Sequence, residues 1–192
     1  MAAIESEQED EIIAALVQSG KSEFFGILIN RYQEKMMRYA RKFLSNDDDK
    51  KDIIQEIFIK AYINIKSFDA KRKFSSWLYR IAHNELVNNL KKKNKSFLPL
   101  FDLDTFSPHY YFNNDNANEK IDRKNTMELI DECFDELNVK YKEPIILYYL
   151  ENLSYKEIAD IMSIPVSTVG IRIKRAKKMM KSIFEKRGYK HE

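Results

Sequence analysis

Between Ser167 and Lys178 the sequence sets small polar residues ahead of cations along one stretch of helical pattern: Ser167, Thr168, Ile171, Arg172, Lys174, Arg175 and Lys178. Small polar groups at the start of a helix can reach base edges, and the later cations suit phosphates, so this is the chemistry of a helix laid on duplex DNA. A second group interleaves cations, aromatics and amides. It comprises Lys71, Arg72, Lys73, Trp77, Arg80, Asn84 and Asn88, with Lys91 to Lys93 extending the basic track. Aromatic faces stack unpaired bases, asparagine hydrogen-bonds them and cations hold the backbone, a combination suited to single-stranded DNA. Packing in a core is the competing role for Trp77. A third group is acidic and apolar: Asp49, Asp52, Gln55 and Glu56, with Ile59 and Ile63 nearby. Its carboxylates would repel phosphate but would receive a protein surface carrying Arg or Lys.

Enzyme chemistry has no comparable support. No nucleophile stands beside a base, no carboxylates pair in a cleft-like context, and His83, His109 and His191 have no metal-ligand spacing. No catalytic residue, metal ligand or cofactor is therefore expected. The single cysteine, Cys133, reads as a small apolar filler on a helix. The longest apolar run, Ile145 to Leu150, falls well short of the roughly 20 residues of a membrane span. The amino terminus is acidic and lacks a basic-then-apolar signal. A cytoplasmic protein with no membrane insertion is expected.

Helices must position these groups. Glycine is rare, with four in 192 residues, and no long stretch alternates apolar with polar, so an all-α fold is expected. Phe24, Phe25, Leu28, Ile29, Tyr32, Met36 and Tyr39 recur at helical spacing. Ile53, Ile54, Ile57, Phe58, Ala61, Tyr62 and Ile65 form a second stripe, preceded by capping-type residues at Asn46 to Asp49. Phe74, Leu78, Ile81, Ala82 and Leu86 mark a third helix, with Ser75 as its expected N-cap. A further helix is predicted from near Glu119 through Leu137, and Pro144 is expected to start the next. Ser154 followed by Glu157 predicts a capping box. Ile158, Ala159 and Met162 give that helix its inner face, and Ser163 to Pro165 is the tight turn. Ser167 or Thr168 would cap the last helix, anchored by Val169, Ile173, Ala176 and Met180. Helix, turn and helix in this order make a helix-turn-helix.

The net charge of +3 conceals segregation. Residues 1–20 hold five acids and no Lys or Arg, while residues 21–95 hold eighteen Lys/Arg against nine acids. Residues 96–136 reverse to three against ten, and residues 137–192 return to twelve against six. Two basic blocks around an acidic one suggest two nucleic-acid-facing modules joined by a linker of opposite sign. The predicted division is an acidic segment and start of the first helix at 1–20, a helical domain at 21–95, a linker at 96–118 and a helix-turn-helix domain at 119–192. The linker carries Pro99 and Pro108 among nine large apolar residues from Phe97 to Phe112, more than a free tether usually holds. It is expected to lie against a partner surface.

The runs from Asp52 to Tyr62, from Phe74 to Asn84 and from Ser154 to Ala176, in that order, resemble the extracytoplasmic-function group of bacterial sigma factors over about Phe24 to Phe184. The resemblance implies a protein that binds core RNA polymerase and directs promoter recognition, local DNA melting and transcription initiation. Asp49, Asp52, Gln55, Glu56 and Ile59 would face the polymerase. Lys71, Arg72, Lys73, Trp77, Arg80, Asn84 and Asn88 would melt and read the promoter element nearest the start site. Ser167, Thr168, Ile171, Arg172, Lys174, Arg175 and Lys178 would read the distal element as duplex. The acidic linker would thread the polymerase channel that later carries RNA, and an anti-sigma protein would be a further partner. Gly170, Ser163, Lys51 and Asn88 depart from the usual residue types of that group. A promoter-binding regulator that acts without polymerase is the alternative, although it leaves the carboxylate surface and the acidic linker without a role. Folding back of the two basic domains on each other in the free protein, with DNA surfaces covered, is a further expectation.

Overall fold

The computed structural model describes residues 9–93, 130 and 132–187. The linker, the first part of the helix predicted from near Glu119 through Leu137, and the carboxy-terminal tip lie outside the described residues. All regular structure among the described residues is helical. α1 is Asp10–Gln18, α2 Phe25–Arg41, α3 Asp47–Asn64 and α4 Phe74–Lys93. Helical residues at 132–136 precede α5 Val139–Tyr149, α6 Tyr155–Met162 and α7 Val166–Lys186.

In the first body, α2, α3 and α4 pack as the three apolar stripes require. Leu28, Met36, Ile57, Ala61, Leu78 and Ala82 are almost fully buried. Asn46 caps α3 as expected, its carboxamide oxygen accepting from the backbone N–H groups of Asp48 and Asp49 at 2.8 and 3.1 Å. The amino-terminal segment contributes more than its composition suggests. α1 is a complete helix that buries Ile13, Ala14 and Val17 in this core. The chain turns away from it through Gly20, whose φ of +99° would strain any side chain. α4 begins two residues earlier than expected, at Phe74, which places Ser75 inside its first turn rather than at the cap.

In the second body, the capping box forms. The Ser154 hydroxyl accepts from the Glu157 N–H, and the Glu157 carboxylate accepts from the Ser154 N–H at 2.8 Å. Ser163 closes α6 in the left-handed conformation, at φ 54°, and Pro165 stands at the N-cap of α7. Neither Ser167 nor Thr168 caps it, because the helix has already begun at Val166. Pro144 likewise sits inside α5, whose cap is Asn138. A proline there removes the backbone bond to the carbonyl four residues back, and burial of Pro144, Ile145, Ile146 and Leu147 in the core offsets that loss.

The two bodies pack against each other through α4 and α6 and bury Glu143 of α5 between them. The expected folding back is present, with one difference. α6 faces the beginning of α4, whereas the polar face of α7 points away and stays exposed. Closure sets α6 across a cleft from the start of α4 and leaves the polar side of α7 open.

Candidate nucleic-acid and partner interfaces

On α7 a residue advances about 100° around the axis. Ser167, Ile171, Lys174, Arg175 and Lys178 thus share one side, and all except half-buried Ile171 are exposed. Thr168 lies at the edge, half-buried. Arg172 does not belong to this side. Five positions beyond Ser167, it falls about 140° round the helix, beside buried Val169, Ile173 and Ala176, and is itself only 2% exposed. The sequence pattern groups it by charge, and the helical angle separates it. A Cβ on Gly170 would meet the Tyr155 ring at 3.5 Å, so that position faces α6 rather than a ligand.

On α4, Arg80, Asn84 and Asn88 form an exposed stripe at i, i+4 and i+8. The loop before the helix exposes Lys71, Arg72 and Lys73. This loop has its own fold: Asp69 accepts from the Lys71 N–H at 3.0 Å through its carboxylate and from the Arg72 N–H at 2.9 Å through its carbonyl. Trp77 is half-buried and packs against Phe68 and Phe74, with ring centroids 5.3 and 5.5 Å away. Part of its ring is thus committed to the core while part remains accessible. A cleft of about 660 Å³ opens over it, lined on one side by Arg72, Lys73 and Arg80 and on the other by Glu157 and Asp160 of α6. Lys73 pairs with Glu157 at 3.0 Å and the Ser76 hydroxyl donates to it at 3.3 Å. Burial pushes the Glu157 carboxyl up, but the Ser154 hydroxyl and N–H and the Lys73 ammonium outweigh it and hold the group at about 2.

On α3, Asp52, Gln55, Glu56, Ile59 and Ile63 are exposed, Ile59 by 43% and Ile63 by 69%. Asp49 shares the side but is ion-paired to Lys93 at the end of α4. Beside them an apolar groove of about 540 Å³ runs between α2 and α3, lined by Ile29, Met37, Ile54, Phe58, Ile59 and Tyr62. Sequence periodicity assigns Ile29 and Tyr62 to the core, but Ile29 is half-buried and Tyr62 is 45% exposed. The exposed isoleucines of α3 are the one signal in the sequence that an apolar surface lies there.

Sequence reasoning misses Glu143 and gives His83 no role. Glu143 is fully buried, and its Oε1 accepts from the Tyr39 hydroxyl at 2.5 Å and lies 2.6 Å from His83 Nδ1. Tyr79 donates to Glu151 across the same junction. Among the described residues no group of three His, Cys, Asp or Glu side chains could hold a metal, and no helix is long and apolar enough to cross a membrane.

Residues 28–96 match the family model described as sigma-70 region 2, and residues 127–180 match that described as sigma-70 region 4. The ECF RNA polymerase sigma factor SigW of Bacillus subtilis is 33% identical over 86% of this chain and 91% of its own length. The ECF RNA polymerase sigma-E factor of Haemophilus influenzae is 34% identical over 90% and 94%. Among solved structures, CnrH in complex with the cytosolic domain of CnrY superposes with a TM-score of 0.67 at 23% identity, over 92% of this chain and 97% of that one. The sigma factor RpoE from Bartonella quintana, solved with the anti-sigma factor NepR, gives a TM-score of 0.64 at 20% identity, over 84% and 96%.

Proposed function

The chain belongs to the extracytoplasmic-function RNA polymerase sigma factors, and from that premise we propose which surface performs each part of the work. As such a factor it binds core polymerase and directs promoter recognition, local melting and initiation. The α3 face of Asp52, Gln55, Glu56 and Ile59, with Asp49 at its edge, receives the polymerase. The loop 69–73 and the α4 stripe of Trp77, Arg80, Asn84 and Asn88 take the melted strand. The α7 side of Ser167, Ile171, Lys174, Arg175 and Lys178 takes the distal duplex.

One observation carries this reading. The first body keeps its acidic and apolar face on α3 apart from the basic, aromatic face at the start of α4, so a protein partner and a nucleic acid can be bound together. Neither surface calls for catalysis by the chain, whose action is recognition in the cytoplasm. An anti-sigma protein is part of the proposal, with the α2–α3 groove as a surface it can share with polymerase.

The testing experiment is transcription from a mixed promoter library with core polymerase of the source bacterium, with and without the protein. New promoter-specific starts are expected, and they should disappear with Gln55→Ala combined with Glu56→Ala. Starts unaffected by the double change would remove the α3 face from the reading. Tight sequence-specific binding by the protein alone, with no new starts, would favour a regulator. On the distal duplex, replacing Lys174, Arg175 and Lys178 together with alanine should lower the slope of log affinity against log salt by about 2–3, at about 0.9 for each phosphate that is no longer neutralised. An unchanged slope would place the phosphate-binding cations elsewhere.

A further inference from the structure

α1 lies outside the residues matched by the region 2 model, which begin at 28, yet it grips both ends of the loop that precedes α4. Gln18 Nε2 donates one hydrogen to the carbonyl of Ile65 at 2.8 Å and the other to that of Phe68 at 2.7 Å. Seven residues earlier on the same helix, Glu11 Oε1 accepts from the backbone N–H of Phe74, the first residue of α4, at 2.8 Å. A carboxylate in that place also suits the positive end of the α4 dipole. α1 is itself held down. Asp10 accepts from Arg31 and from the Tyr32 hydroxyl, each at 2.5 Å, and Ile13 and Ala14 are fully buried. Between the two grips, the Asp69 turn leaves Lys71, Arg72 and Lys73 exposed.

From this geometry we propose that α1 is a clasp for promoter opening, with Gln18 and Glu11 as positioning residues that hold the 65–74 segment in its strand-receiving shape. The inference rests on reading that loop as the one that takes the melted strand. A loop ordered before it meets DNA gives up less freedom on binding, and this is how preorganisation raises affinity. The chemistry of each grip is specific. Two carbonyls can be served by one amide NH₂ but not by a carboxylate, which has no hydrogen to give. The Phe74 N–H needs an acceptor, which glutamate or glutamine can supply and alanine cannot.

The test uses the full chain bound to core polymerase and measures open-complex formation on a duplex promoter, with affinity for core measured alongside. Gln18→Glu and Glu11→Ala should each slow opening about tenfold, the effect of losing one or two backbone-anchoring hydrogen bonds, with core affinity unchanged. Glu11→Gln should open nearly as fast as the parent. The clasp is overturned if the first two variants open normally, if core affinity falls in step with opening, or if Glu11→Gln is as slow as Glu11→Ala. The combined change Lys71→Ala and Arg72→Ala separates the two layers of the inference. If it slows opening while the α1 variants do not, the clasp fails and the loop assignment stands. If it leaves opening intact, the loop assignment fails and takes the clasp with it.

Discussion

Replacing Glu143 with alanine is expected to separate the two helical bodies of the free protein while leaving each of them folded. The carboxylate is fully buried at their junction, where one oxygen takes the Tyr39 hydroxyl and meets His83 Nδ1, and the other has no hydrogen-bond partner among the described residues. Alanine would leave the Tyr39 hydroxyl without its acceptor in a dry interface. Breaking one side of a buried charged contact costs about 3–5 kcal/mol, or roughly 10²–10⁴-fold in the ratio of closed to open forms. Small-angle scattering is the direct measurement. A compact chain of this length should have a radius of gyration of about 16 Å, and the variant should exceed the parent clearly at unchanged helical content. Equal radii would show that Glu143 does not hold the closed form.

The same junction predicts a window of pH. Burial, reinforced by Glu143, pushes the Tyr39 hydroxyl well above the ordinary 10.0, and burial with Glu151 does the same for Tyr79. Groups held protonated in this way contribute fully below pH 10 and lose their contribution as pH rises through the raised values. Glu157 runs the other way. Its value of about 2, against an ordinary 4.5, is lowered by Ser154 first and by Lys73 second, so the capping box and the grip on Lys73 are both complete above 4.5 and are lost as pH falls towards 2. Closure should therefore be firmest between about pH 5 and 10. Because α6 stands across the cleft from the start of α4 while the polar side of α7 stays open, closure narrows access to Trp77 and leaves Arg80, Asn84, Asn88 and the α7 side exposed.

The elements whose logic is local are legible in the sequence. Asn46 caps α3 and Ser154 with Glu157 forms the box, because these bonds join residues two or three apart. The exposed stripes on α3 and α4 follow from helical period alone. What could not be read is set by partners distant in the chain. Gln18 finds the carbonyls of Ile65 and Phe68, 47 and 50 residues on, and a lone glutamine in a helix gives no sign of that. Glu143 and Lys142 have the residue types of a solvated surface, and both are buried, Glu143 where Tyr39 and His83 of the first body meet it. Arg172 has the right chemistry for DNA but the wrong angle, and Pro144 has the residue type of a helix start where a well-packed helix carries it inside.

Trp77→Ala should reduce opening of a duplex promoter by roughly 10²-fold, near the upper end of what one stacked base contributes at about 1–3 kcal/mol. Part of the ring is committed to Phe68 and Phe74, so the substitution should also lower the thermal stability of the first body, though by less than the roughly 3–5 kcal/mol of a fully buried aromatic. These two consequences can be told apart. A stacking role demands a flat face in the cleft, and Trp77→Phe should restore most of the opening while recovering only part of the lost packing. A template already unpaired at that position should rescue Trp77→Ala partly, because the cost of unstacking the duplex has been removed. If stability falls but opening per folded molecule is unchanged, Trp77 is a wedge in the core, and the strand must be taken by Arg80, Asn84 and Asn88 alone. The closed form supplies an independent check. Glu157 and Asp160 stand across the cleft from Trp77, facing the side that carries Lys73 and Arg80. Removing those two carboxylates should raise the affinity of the free protein for single-stranded promoter DNA, and it should do so only while Trp77 is in place.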